Sequence, residues 1–280
     1  MKYFFGIDVT ENENNDTYDG EAYAAARVDG ELAGRIEEAA ELAQKADELC
    51  RVSPAPRKMG QTCLIFAVVW GLLAVFGLIK DPSSISSTAM IVTFAMVAVS
   101  AAAGVLLTRR AAKQAKRTPA QEAAVKTAND AFAEVTADSA KQLGVPADCP
   151  DTDLLYTVYS TKTGKAEPYS VMGTRVFTNY PRKVFAKDGD LCISDIRTLY
   201  RVPLSALGEI ETVDEKIGLS FWNKEKHYRS PEYAQYDIRA TRWMLSMRSY
   251  IKLTASMNGE DYLLLFPAYE KGSLEKILGR

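Results

Sequence analysis

The chain has 280 residues and a net charge of −2. That length holds one large domain or two modest ones, and so small a charge argues for no nucleic-acid partner. Cys50, Cys63, Cys149 and Cys192 are scattered and His227 is the single histidine, so neither a disulfide framework nor a close-spaced metal site is expected, and no cofactor.

The first 61 residues carry nearly twice as many acidic as basic residues, whereas the rest is close to balance. Residues 1–18 read as a strand followed by an acidic loop. In YFFGIDVT, Tyr3, Phe5 and Ile7 alternate with Phe4, Gly6 and Asp8. A strand ending in G-I-D-V also opens the phosphate loop of sugar kinases and actin-like ATPases. There a glycine and a hydroxyl residue follow the aspartate, bringing backbone N–H groups onto phosphate. Here the run is Asp8-Val9-Thr10-Glu11, with a glutamate where the phosphate would sit. A lone strand cannot satisfy its own backbone, so residues 2–9 are expected to dock on a sheet edge elsewhere in the chain. Within ENENNDTYDGE, Gly20 is misplaced for a calcium loop.

Residues 19–53 read as a cytoplasmic helix. Val28, Leu32, Ile36, Ala39, Ala43, Ala46 and Cys50 make one apolar stripe, and Pro54 and Pro56 end it. Residues 62–108 read as a transmembrane helical hairpin. Thr62–Ile79 and Ala89–Leu107 contain no charge, and the first would span about 27 Å as a helix. Ser100 with Gly104, and Ala67 with Gly71, supply small-residue spacings for close helix approach. Arg51, Arg57 and Lys58 precede the spans, and Arg109, Arg110, Lys113, Lys116 and Arg117 follow them. Basic residues stay on the cytoplasmic side, which places both termini in the cytoplasm and the chain in the cell (inner) membrane. Residues 109–144 read as a second cytoplasmic helix. Thr118, Pro119 and Gln121 form its start, and Gly144 and Pro146 stop it. Its stripe is Val125, Ala128, Phe132, Val135, Ser139 and Leu143. The two amphipathic helices are expected to pair antiparallel as a stalk, or to associate between copies.

Residues 151–280 change texture to short apolar runs separated by turn residues such as KDGD and SMNGE. The expected strands are 154–160, 170–177, 183–186, 191–194, 198–204, 209–213, 216–222, 249–255 and 261–266, with a closing helix in AYEKGSLEKILGR. The fold class is therefore α+β, a membrane protein with an antiparallel β domain closed by a helix. The runs DLCISDIRTLYRVPLSALGEIETV and DYLLLFPAYEKGSLEKILG resemble the pleckstrin-homology-like (PH-like) domains of two-pass bacterial membrane proteins. That resemblance implies a PH-like fold and no transferable binding residues.

In PH folds, ligands often meet basic residues near the first hairpin. Lys162, Lys165, Arg182 and Lys183, together with Arg109, Arg110 and Lys113 beside the second span, are therefore candidate lipid-headgroup contacts. A long insertion at 223–248 mixes cations with aromatics: Lys224, Lys226, Arg229, Tyr233, Tyr236, Arg239, Arg242 and Trp243 form a candidate interaction surface. No catalytic motif is recognisable, so the expectation is a non-enzymatic binding or scaffolding module for a protein or a lipid headgroup. Its partners would be the lipid bilayer and a protein or a second copy. The alternatives are an enzyme with a site between the insertion and the stalk, or a small oligomeric transporter or channel component.

Overall fold

The structure is a computed structural model that describes residues 1–10, 17–51, 55–80, 88–114, 116–220, 228, 230–240 and 244–280. It divides into two compact units. Unit 1 takes Met1–Arg35 and Glu134–Arg280, and unit 2 takes Ile36–Ala133. In chain order the elements are β1 (Lys2–Tyr3), β2 (Gly6–Asp8), β3 (Ala24–Arg27), α1 (Gly30–Cys50), α2 (Ala55–Lys80), α3 (Thr88–Gln114) and α4 (Pro119–Gln142). Then come β4 (Asp151–Ser160), β5 (Glu167–Pro168), β6 (Ser170–Val171), β7 (Thr174–Lys187), β8 (Asp190–Ser194), β9 (Thr198–Pro203) and β10 (Leu207–Val213). Last are β11 (Ile217–Leu219), β12 (Arg239–Ala240), β13 (Leu245–Met247), β14 (Tyr250–Met257), β15 (Glu260–Pro267) and α5 (Lys271–Leu278). The chain is α+β.

In unit 1 a curled sheet is built from two antiparallel sets. β4, β7, β8 and β9 pair in succession, and β10 pairs β14, which pairs β15. Two hairpins turn on Asp188-Gly189 and Asn258-Gly259. All four residues have positive φ, the two-residue turn that matches strand twist. β7 runs without a break through Pro181, which pairs with Asp153 and joins two runs that read as separate strands in the sequence.

The N-terminal strand docks on this sheet by an unexpected route. β1 lies parallel to β15, with Tyr3 opposite Leu263, and β2 lies parallel to β4, with Ile7 opposite Val158. Between them the backbone crosses from one strand to the other: Phe4 N donates to Leu263 O at 2.9 Å and Thr157 N to Phe5 O at 3.2 Å. Phe4 and Phe5 drop into the main core, against Tyr200, Tyr262 and Tyr156. The crossing is tight enough that a Cβ at Gly6 would lie 2.5 Å from Tyr3 Cβ. Leu154, Ile193, Val202, Ile251, Leu253, Leu264 and Phe266 complete this core, and Leu274 of α5 plugs it.

The insertion after β10 builds a second core on the outer side. β11 runs parallel to β7, with Gly218 opposite Val176, and β13 pairs β11. Ile217, Leu219, Leu245 and Met247 bury Leu155, Phe177 and Leu265 there. The strand expected over 216–222 covers Ile217–Leu219; residues 221 and 222 lie outside the described residues.

The first amphipathic helix begins at Gly30, not near Glu21. Residues 24–27 instead form β3, paired antiparallel with β9. AYAAAR has good helix propensity, but pairing with an open strand edge overrides it. Asp29 then caps α1, accepting from Leu32 N at 2.8 Å. Arg35 closes the same end of α1 onto α4, 2.8 Å from both Glu134 and Asp138. Ser139 donates to Ile196 O at 2.6 Å.

Unit 2 contains α2 and α3. Each is long and apolar enough to cross a membrane. At 26 and 27 residues they reach roughly 40 Å. Their contact is a seam of small residues. Gly60, Ala67 and Ala74 recur every seven positions on α2, and Gly104 and Ala111 do so on α3. A Cβ at Gly104 would lie 2.7 Å from Leu64 Cγ. Gly71, expected on the seam, meets Val97 only at 3.7 Å. The large side chains point the other way: Ile65, Leu72, Phe76 and Ile79 on α2, and Ile91, Met96, Val99 and Leu106 on α3, are exposed. The start of α4 carries the capping box expected from its sequence. Thr118 N donates to Gln121 Oε1 at 2.8 Å and Gln121 N to Thr118 Oγ1 at 3.3 Å. Gln121 Nε2 also reaches Leu49 O at 2.7 Å. Of the two stripes within unit 2, Ile36, Ala39, Ala46 and Ala128 are buried, whereas Ala43 and Phe132 are exposed.

Candidate functional site

Where β4 and β7 diverge past the Tyr156–Thr178 pair, the chain folds a further strand between them. A first turn, closed by Gly164 N donating to Thr161 O at 2.8 Å, leads into β5, which pairs with the end of β4. Tyr169 then bridges both neighbours: its N donates to Val158 O at 3.1 Å, and its O accepts from Val176 N at 2.9 Å. β6 pairs β7 with Val171 opposite Thr174, which leaves Met172-Gly173 as a two-residue turn. Both have positive φ, 51° and 76°. For methionine this left-handed conformation costs energy, and a glycine would relieve it.

Strand alternation places Val158, Tyr169 and Val171 on one face of this tip. All three are exposed, and Met172 at the turn is 101% exposed. The sequence reading centred this hairpin on its lysines and missed these residues. In YSVMGT two apolar residues directly precede a turn glycine.

The first turn of this segment is held by the N-terminal strand. Asp8 accepts from Thr10 N at 2.9 Å and from Thr161 Oγ1 at 3.0 Å, and Thr161 N donates to Thr10 Oγ1 at 2.7 Å. Burial pushes the Asp8 carboxyl up, but these hydrogen bonds outweigh it and hold the group below its ordinary value. The residue that raised the phosphate-loop question therefore fastens a hairpin.

The candidate headgroup cations separate into three groups. Lys162 and Lys165 are exposed on the first turn of the tip. Arg182 is engaged inside unit 1: it donates to the Tyr156 hydroxyl and lies 5.1 and 5.5 Å over the rings of Tyr156 and Tyr180. Lys183 is also engaged there, 2.8 Å from Cys149 O and 3.0 Å from Asp151. Arg109, Arg110 and Lys113 are exposed on the last turns of α3, in unit 2.

The candidate interaction surface on the insertion is described only in part. Lys224, Lys226, Arg229, Arg242 and Trp243 lie outside the described residues. Tyr233 and Tyr236 pack on Tyr269, with ring centroids 5.4 and 6.3 Å away, and Arg239 pairs with Asp237 at 3.0 Å. Tyr269 in turn donates to the buried Asp153 carboxylate at 2.6 Å. Burial, reinforced by that carboxylate, pushes the Tyr269 hydroxyl far above its ordinary value. These tyrosines anchor the insertion to the sheet. Among the described residues, no group of three or more His, Cys, Asp or Glu side chains comes together.

Comparison with known proteins gives no relative: neither a protein-family model, nor a curated protein, nor a solved structure matches the chain.

Proposed function

We propose that this chain is a membrane-anchored, non-enzymatic binding module. α2 and α3 form a two-pass hairpin in the cell membrane, both termini lie in the cytoplasm, and the β unit binds a protein or a lipid headgroup there. The observation that carries this reading is the arrangement of α2 and α3. Their small residues face each other while Ile65, Leu72, Phe76, Ile91 and Val99 face outward. A helix pair buried in a soluble core would reverse that pattern, whereas lipid accepts an apolar exterior.

A PH-like reading of the β unit is supported by its order. Four antiparallel strands lead into three, and a helix follows. Anchoring would raise the effective concentration of this unit at the bilayer surface, so weak headgroup or partner contacts suffice.

Extraction and a topology reporter test the reading together. The chain is expected to stay in the membrane pellet through alkaline carbonate and to need detergent for release. A fluorescent reporter fused after Arg280, of a kind that matures only in the cytoplasm, is expected to light. Release by carbonate, or a dark cytoplasmic reporter with a lit periplasmic one, overturns it.

A further inference from the structure

We propose that a cleft at one corner of unit 1 binds a small zwitterion of the α-amino-acid class. This goes beyond the membrane-anchored reading and does not depend on it. β3 covers the edge of β9 only as far as Tyr200, which pairs with Ala24. Beyond that point Arg201 and the turn after Pro203 line, with the β14–β15 turn, a cavity of about 480 Å³. Strand alternation puts Asp190 and Arg201 on one side of the β8–β9 hairpin, and both line the cavity. Their side chains are 25% and 38% exposed and approach to 3.8 Å. That is too long for a hydrogen bond, and among the described residues neither side chain makes one. Arg201 Nε is buried without a partner there. Other cations of unit 1 are better satisfied: Lys183 reaches Cys149 O, and Arg280 reaches Gly208 O, at 2.8 and 2.7 Å. So loose a pair contributes little to stability, and it leaves both charges with unused hydrogen-bonding capacity.

The two charges together select the ligand. A lone carboxylate or phosphate on Arg201 would meet Asp190, and a lone amine on Asp190 would meet Arg201. A carboxylate and an ammonium on one carbon satisfy both at once. The carboxylate takes the planar fork of Arg201, and the ammonium donates to Asp190. Arg201 is the single cation lining the cavity, so a polyphosphate has too few partners. Neutral polar groups stand nearby: the exposed Ser205, and Asn258, which donates to the Tyr23 hydroxyl at 3.2 Å. Pro203, Ala206 and Met257 supply apolar wall for a ligand side chain. A few convergent polar groups in a partly apolar cleft of this size are the usual make-up of a small-molecule site.

The test uses the full chain in phosphatidylcholine nanodiscs, heated with each common α-amino acid while the near-ultraviolet tyrosine signal of unit 1 is followed. At least one is expected to raise the midpoint, as a ligand of the folded state must. Its N-acetyl and amide forms, each lacking one charge, are expected to bind at least about tenfold more weakly. Arg201→Gln and Asp190→Asn should each weaken binding to the same degree, and Arg248→Gln, which breaks a pair with Asp214 outside the cleft, should not. Phosphatidylserine carries the same α-ammonium carboxylate, so a shift in discs containing it, with none from the free amino acids, assigns the site to a headgroup. No shift from either source overturns the proposal. So does equal binding of the blocked forms, or unchanged binding by both cleft variants. If a cleft variant fails to fold, the blocked forms still decide on the unaltered chain.

Discussion

Phe4 and Phe5 are 0% and 3% exposed, and they come from a segment that holds its place through two short parallel ladders. Truncating Phe4 to alanine leaves a cavity among Phe5, Tyr200 and Tyr262. Phe4→Ala is expected to cost about 3–5 kcal/mol in denaturant unfolding of unit 1. Asn179 is the opposite case. It is fully buried opposite Leu155, and among the described residues neither of its amide atoms has a partner. Asn179→Leu is expected to raise stability by about 1 kcal/mol in the same assay, since an unpaired buried amide costs more than it returns. Asp8 brings a pH dependence. Its carboxyl sits below the ordinary value of 3.8, so its contribution is complete above that pH and is lost as pH falls through the lower folded value. Amide exchange in residues 6–10 should therefore accelerate as pH drops below about 3.8 relative to a neighbouring strand, and Asp8→Asn should remove the difference.

At the scale of elements, the seam between α2 and α3 is where one atom matters most. Gly104→Leu puts a side chain where even a Cβ meets Leu64 at 2.7 Å. It should separate the helices, measured as lower thermal stability in detergent, while Gly71→Ala should change little. The ends of α4 were legible in the sequence because caps are local: the Thr118–Gln121 box and the positive φ of Gly144 follow from single residue types. So were the Asp188-Gly189 and Asn258-Gly259 hairpins. β3 was not legible, since alanine favours helix and only the neighbouring edge of β9 makes it a strand. The tip was half legible. Lysines on a turn announce exposure, but Val158, Tyr169 and Val171 read as core until the second turn shows which face they share. The packed, half-exposed roles of Arg182 and Tyr233 depend on partners far along the chain, Tyr156 and Tyr269 respectively, which no local pattern contains.

For the molecule as a whole, unit 1 is assembled from the two ends of the sequence and unit 2 from its middle. Spectroscopic heating of the chain in lipid should show two separable events. The near-ultraviolet tyrosine signal of unit 1 is expected to disappear first, with α2 and α3 retaining their helical signal. A single joint transition would contradict this expectation. The parallel crossing of β1 and β2 also has a consequence for synthesis. Phe4 and Phe5 leave the ribosome long before β15, the strand that receives β1, has been made. With roughly 250 residues still to be translated, the wait is on the order of ten seconds or more. During it an apolar, strand-prone segment waits without its partner strand. Anything that stalls elongation, or cuts the message short before codon 260, leaves that segment unsheltered and open to chaperones or to a neighbouring nascent chain.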